Sequence, residues 1–343
     1  MATDEQIEIL RGPLAGGVPP SALAAYGRWW QLETYLREVA YTELRAAFGA
    51  SWRDHVGEAA ATRAERDQIN AYMASADADE PLAYADTSVL FALIKSKWEL
   101  FEPVLLPQVR WEGLVDELLS IRNRSAHCRR PHRDDLARLE QSLRNLEPGA
   151  REFYRSYTQA QRLRPGEGDP LVDAWLDKSH PSAQRLVDHC QEQYDVSFRL
   201  SISTRPWGPS IEGVQPITGT TGVLWHADWI LGMEEIRPSD LWKELNEGVR
   251  ELLVHLLIDG SAVTATFAAI DDPNAVADAI GHVFDAIIVT SRRFKALDPQ
   301  EPAKDWFDFL RSDAETLPAK VQSGSALALF DPYQPEAFTI FAA

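Results

Sequence analysis

Apolar residues recur at helical spacing through the first half of the chain. From Ser21 onward, Tyr26, Trp30, Leu36, Val39, Leu44 and Phe48 mark the core-facing set of one long helix that ends before Gly49. A more polar helix is predicted over 57–73, followed by an acidic loop, Asp77-Ala78-Asp79-Glu80-Pro81. Behind Asp86, the positions Leu90, Ile94, Trp98 and Phe101 predict a third helix, punctuated by Pro103 and Pro107. A fourth runs from about Trp111 to Cys128 and stops before Pro131. A fifth is capped around Asp134, runs to about Leu146 and closes at Pro148-Gly149.

Beyond residue 150 the period changes. The densest run of Pro and Gly, Arg164-Pro165-Gly166-Glu167-Gly168-Asp169-Pro170, reads as a linker, and a helix is expected over 171–192. Val196, Phe198, Leu200 and Ile202 then alternate with Ser197, Arg199, Ser201 and Ser203, the period-2 pattern of a strand with one wet face. Val223–Leu231 is a second strand. Pro238-Ser239-Asp240 opens a helix carrying Leu241, Leu245 and Val249. Leu252–Ile258 and Ala262–Ile270 flank Asp259-Gly260-Ser261 as a hairpin. Asp272 caps a helix with Pro273 at its first position and Val276, Ile280, Val283, Phe284 and Ile287 on its apolar face. The expected architecture is an all-α bundle over 20–150, a connection over 151–170 and an α+β domain over 171–343.

Charge alters this picture more than composition does. The 343 residues hold 52 Asp and Glu against 34 Lys and Arg, a formal charge of −18. That excludes a protein that coats nucleic acid through a broad basic face. Residues 1–150 carry −6 (17 basic, 23 acidic) and residues 151–343 carry −12 (17 basic, 29 acidic), so the α+β half is the more acidic. Two cysteines, Cys128 and Cys190, are too few and too far apart for a disulfide framework or a metal knuckle. The first residues, Met1-Ala2-Thr3-Asp4-Glu5-Gln6, lack an apolar core, and no apolar run has the length of a membrane span. A soluble, cytoplasmic protein with no membrane contact is expected.

One segment runs against the acidic background. Arg122-Asn123-Arg124-Ser125-Ala126-His127-Cys128-Arg129-Arg130-Pro131-His132-Arg133 has five arginines, two histidines and no acid in twelve residues. At 100° per residue, Trp111, Leu114, Val115, Leu118 and Leu119 form one stripe, and Arg122 falls near its centre where a further leucine is expected. Such an arginine is costly unless it is paired or lines an interface or a site. Asn123 and His127 share a neighbouring face, one turn apart. Cations near a helix C-terminus are also favoured by the macrodipole alone, so spacing by itself does not decide for chemistry.

The segment from Trp111 through Leu118-Leu119-Ser120-Ile121-Arg122-Asn123-Arg124-Ser125-Ala126-His127 resembles the HEPN superfamily, whose ribonuclease members carry Arg, four to six residues, then His, commonly with Asn after the Arg. The flanks are similar to the branch found in a eukaryotic RNA-quality-control endonuclease: Leu90, Ile94, Trp98 and Phe101 before the motif, Asp135-Leu136 and Leu139 after it. The resemblance covers roughly 25–147. It implies cleavage of RNA by a homodimer joined through the helical domain, with two motifs facing one cleft and no metal or cofactor. In that scheme His127 is the general acid/base, assisting attack of a ribose 2′-hydroxyl on the adjacent phosphorus to leave a 2′,3′-cyclic phosphate. Arg122 stabilises the phosphorane, Asn123 orients phosphate or imidazole, and Arg124, Arg129, Arg130 and Arg133 guide the RNA backbone. Family members that transfer nucleotides carry a tyrosine two residues after the histidine; Arg129 stands there instead. The expectation is a metal-independent endoribonuclease acting as a toxin or antiviral-defence effector, with a regulatory protein or small-molecule trigger acting on the C-terminal domain. Two alternatives stay open: a non-catalytic dimerisation module and a nucleotide-binding sensor.

Elsewhere, His226 and Asp228 share a strand face but lack a third metal ligand at a convincing spacing. His255, set within Leu252-Leu253-Val254 and Leu256-Leu257, reads as a hydrogen-bonded core histidine. Gly219-Thr220-Thr221-Gly222 lacks the Gly-Lys-Ser/Thr of a P-loop.

Overall fold

A computed structural model describes residues 11, 13–69, 80–157, 161–184, 196–211, 216–231, 234–259, 262–293, 313 and 317–323. The predicted acidic loop before Glu80, the later part of the 171–192 helix, Gly260 and Ser261 of the hairpin turn, and Cys190 lie outside the described residues.

The N-terminal half is helical, as its periodicity requires. It comprises α1 (Pro20–Phe48), α2 (Glu58–Gln68), α3 (Thr87–Ser96), the short α4 (Trp98–Phe101), α5 (Gln108–Ala126) and α6 (Asp135–Arg155). Asp86 caps α3 by accepting from the Val89 N–H at 3.0 Å. The expected continuous helix from there to Phe101 instead breaks at Lys97, which turns Leu100 and Phe101 together into the core. Two expectations are corrected in α1 and α6. In α1 Leu36, Val39 and Leu44 are buried as predicted, but in the first turns the buried residues are Ala25 and Trp29, one residue back from the predicted Tyr26 and Trp30, which are 57% and 60% exposed. The buried indole is that of Trp29, whose Nε1 donates to Glu33 at 2.7 Å.

Helix α6 does not close at Pro148-Gly149 but runs through them to Arg155. An interior proline costs about 3 kcal/mol. Continuation puts Ala150 and Phe153 in the core, and burying a Phe-sized side chain alone returns about 1.5–3 kcal/mol. Gly149 serves as a close-packing position: a Cβ there would lie 2.4 Å from the Val104 carbonyl oxygen.

The second half is α+β. Among the described residues, β1 (Ser197–Thr204), β2 (Val223–Ile230), β3 (Leu253–Ile258), β4 (Ala262–Ala268) and β5 (Val321–Ser323) form one sheet in the order β1-β2-β4-β3-β5, antiparallel except for the β3–β5 edge. Helices α7 (Pro170–Trp175), α8 (Pro238–Glu244), α9 (Glu247–Leu252) and α10 (Pro273–Thr290) accompany it. The single helix expected after Pro238 is two, because Asn246 caps α9 onto the Val249 N–H at 2.9 Å. Asp272 caps α10 as expected, accepting from Ala275 N–H at 3.2 Å. In the hairpin Asp259 accepts from the Ala262 N–H at 2.7 Å. The Pro/Gly-rich stretch before α7 is tied in at both ends. Leu163 bridges Ile202 through two backbone bonds, and fully buried Asp169 accepts from Leu171, Ile217 and Thr218.

One sheet face packs Trp225, Trp229, Leu256 and Phe267 against α10 residues Ile280, Val283 and Phe284. Period-2 alternation predicted water on the other face; Ser197 and Arg199 are exposed as predicted, but from Ser201 and Ser203 across to Thr266 that face is covered too. Leu224, Val254 and Ala268 join the core of the helical half. Beside them lies a buried polar layer. His226 stands 2.7 Å from Ser203 Oγ and 3.0 Å from Thr266 Oγ1, and burial holds it neutral. Asp228 accepts from Arg162 at 2.6 Å and Thr264 at 2.7 Å. Both ring nitrogens of His226 are thus engaged by hydroxyls.

The C-terminal half of α1 carries the ion pairs of this seam. Glu43 and Arg205, whose side chains are both 0% exposed, form a two-point fork, and Trp207 Nε1 donates to the same carboxylate at 2.7 Å. Arg45 donates to Asp271 and to the Leu252 carbonyl, each at 2.7 Å. Gly49, with φ +55, ends the helix where a Cβ would lie 2.4 Å from Asp271 Oδ1. Among the described residues no helix is long and apolar enough to cross a membrane.

Candidate active site

Helix α5 begins behind Pro107 and is anchored by Trp111, Leu118 and Ile121, all buried, with Trp111 edge-on to Phe91 at 5.5 Å. The centre of its buried stripe is therefore this trio, and the expected central place of Arg122 is corrected. Arg122 lies 100° beyond Ile121 at a half-buried margin, next to the half-buried Leu114, Val115 and Leu119. No other side chain of the described residues hydrogen-bonds it more closely than Asn123, whose Oδ1 accepts from it at 3.4 Å. Asn123 itself is exposed.

The helix ends in a left-handed cap. The Arg129 N–H reaches the Arg124 carbonyl at 2.9 Å and the Cys128 N–H reaches that of Ser125 at 3.1 Å, the paired bonds of a Schellman motif. His127 is the capping residue, exposed, one turn beyond Asn123 and with its own N–H on the Asn123 carbonyl at 3.3 Å. Cys128 takes the position that glycine normally fills, at φ +49. A side chain there costs about 1–2 kcal/mol, partly offset by the extra freedom glycine has when unfolded. Cys128→Gly is therefore expected to stabilise the protein by about 0.5–1 kcal/mol, read as a higher midpoint of denaturant unfolding. An unchanged or lower midpoint overturns this account of the turn.

The expected basic residues divide into two kinds. Arg129, Arg130 and Arg133 are exposed and, among the described residues, pair with no carboxylate; His132 is exposed beside them. Arg124 is different. Its Nε and terminal nitrogen donate to the two oxygens of buried Asp135 at 2.7 and 2.5 Å, while Asp135 also accepts from the His132 N–H at 2.9 Å. Burial raises the Asp135 carboxyl, but the guanidinium and that N–H outweigh it and hold it below the usual carboxylate range. Arg124 and Asp135 thus clamp both ends of the 127–134 turn. Sequence reasoning placed Arg124 with the exposed arginines and read Asp135 only as part of a flank. The available signal was an Arg and an Asp bracketing a proline-containing turn.

The arrangement presents an arginine, an amide and an imidazole at the end of one helix, followed by a turn with three arginines that pair with no carboxylate among the described residues. That set can bind a phosphodiester and move a proton beside it. Residues 30–147 match the family model described as Swt1-like HEPN. No curated protein and no solved structure matches the chain. The helical N-terminal region is a HEPN-superfamily domain, joined to an α+β half that lies beyond the matched residues.

Proposed function

We propose that this protein is a metal-independent endoribonuclease and that its HEPN domain does the cutting as a homodimer. The observation that carries the reading is the complete Arg122-Asn123…His127 set at the end of α5, with Arg122 half-buried, Asn123 and His127 exposed, and the following turn held by the Arg124–Asp135 clamp. HEPN domains commonly bind RNA, dimerise and act as ribonucleases, which makes this the preferred chemistry for the set. The half-buried Leu114, Val115 and Leu119 supply a face for the second copy, placing Arg122 at a seam.

In the reaction His127 takes the proton of a ribose 2′-hydroxyl as its oxygen bonds to the adjacent phosphorus. The bond from phosphorus to the 5′ oxygen breaks, and a protonated imidazole returns a proton to that oxygen. Arg122 spreads its fork over the charge of the phosphorane, and Asn123 orients the phosphate. Arg129, Arg130 and Arg133 guide the backbone of the strand. The α+β domain over 171–343 senses a trigger, and the whole acts in the cytoplasm as a toxin or antiviral-defence effector.

The test is RNA cleavage by the full chain in EDTA. The expected products bear 2′,3′-cyclic phosphate and 5′-hydroxyl ends, and His127→Ala lowers the rate by about 10²–10⁴ with the fold intact. Cleavage by His127→Ala at the parental rate overturns the proposal. In cells, the same substitution is expected to relieve growth arrest caused by expression of the parent.

A further inference from the structure

A cavity of about 390 Å³ opens between α1, strand β3 and the segment leading into β5. The face of α1 that lines it, Trp30, Thr34, Arg37, Glu38 and Tyr41, is the one that sequence periodicity assigned in part to the core. The volume suits a small ligand of drug or nucleoside size.

Its chemistry is specific. The two cations on its wall are already engaged: Arg37 pairs with Glu33, and Lys320 lies 3.1 Å from Glu80 and donates to the Arg250 carbonyl at 2.9 Å. Both charges are matched, although Arg37 keeps one buried donor, its Nε, without a partner among the described residues. Glu80 is matched by Lys320, and burial shifts Glu38 and His255 toward their neutral forms. Burial raises the Glu38 carboxyl to about 7, against hydrogen bonds from Tyr154 and Gln322 that oppose the rise. Burial likewise lowers His255 to about 4, leaving a neutral imidazole.

His255 is the residue that asks for a partner. It is 3% exposed and stands on the cavity wall with its ring against Tyr157 at 4.7 Å. One ring nitrogen faces the Gln322 side chain, whose otherwise unpartnered oxygen raises the imidazole as a hydrogen-bond acceptor, as the expected core histidine requires; the second nitrogen has no partner among the described residues. Buried polar atoms of this kind are rare in folded proteins, and a bound molecule is one way to satisfy them. A neutral imidazole offers one donor and one acceptor. At the rim the Trp30 indole, 60% exposed, offers a flat surface for stacking.

The geometry points to a binding site for a neutral nucleoside in this cavity, with the base hydrogen-bonded to His255 and stacked on Trp30. The site joins the HEPN domain to the α+β half, so its occupancy strengthens their docking. It is separate from the Arg122–His127 set and does not depend on the ribonuclease reading.

The test is calorimetric titration of the full chain with each of the four ribonucleosides and their 5′-monophosphates. At least one nucleoside is expected to bind, more tightly than its own monophosphate. Trp30→Ala, at an exposed position that leaves the core untouched, is expected to weaken that binding about tenfold or more. His255→Leu is expected to abolish it while circular dichroism stays parental. The proposal is overturned if no nucleoside binds at millimolar concentration, if a monophosphate binds more tightly than its nucleoside, or if Trp30→Ala binds as the parent does.

Discussion

Glu43→Ala is expected to destabilise the protein by about 3–5 kcal/mol, the usual cost of removing one partner from a fully buried ion pair. Three nitrogen donors converge on this carboxylate, two from Arg205 and one from Trp207, and neither charged side chain has any exposure. Without Glu43 the Arg205 guanidinium keeps the Phe153 carbonyl, at 3.1 Å, and the face of the Phe153 ring, 4.8 Å away. Those contacts do not replace a counter-charge. Replacing both members with apolar residues of similar volume, Glu43→Leu with Arg205→Met, is expected to recover most of the loss, because a buried pair contributes little net stability once both desolvation costs are removed. Denaturant unfolding of the parent, the single variants and the double variant reads this directly. A Glu43→Ala loss below about 1 kcal/mol contradicts the buried, paired geometry. The pair then matters for specificity: it fixes where α1 seats on the turn after β1.

Arg122→Ala is expected to lower RNA cleavage by about 10²–10³, the scale for losing one donor to developing charge, with little change in stability. The two readouts separate because Arg122 is half-buried and its hydrogen bond to Asn123, at 3.4 Å, is long. Arg122→Lys is expected to recover only part of the rate, since an ammonium keeps the charge but not the planar fork. Arg124→Ala makes the contrast. It strips buried Asp135 of its bidentate partner, so its first effect is on stability and on the order of the 127–134 turn. If Arg122→Ala destabilised the protein while Arg124→Ala did not, the roles assigned to these two arginines would be exchanged.

Much of the fold was legible in the chain because local rules and tertiary packing agree there. Asp86, Asp272 and the apolar face of α10 behave as their sequence predicts. The all-α and α+β division followed from the change of period, and the HEPN resemblance rested on residues that the matched region contains. Where the reading failed, a distant contact overrode a local signal. Pro148-Gly149 resembles a helix stop, but buried Phe153 beyond it and the Val104 carbonyl against it hold the helix straight through. Between adjacent Trp29 and Trp30, only packing chooses which indole is buried.

The candidate site divides the same way. The charge run at 122–133 stands out in an acidic chain, and its residue types name the chemistry they could perform. Which arginines face solvent is not written in that run, because it depends on Asp135 folding back from the next helix to take Arg124.

By itself, then, the sequence determined the element types, the two-part architecture and the cluster of groups fit for phosphodiester chemistry, since periodicity, capping and charge act over a few residues. The tertiary structure alone decided that Ser201, Ser203, Thr264 and Thr266 stand on a dry part of the sheet. It also decided that Glu43 and Asp271 pair with arginines far away in the chain, and that a cavity walled in part by His255 lies along α1. Those features depend on which surfaces meet, and no local pattern in either half specifies its partner.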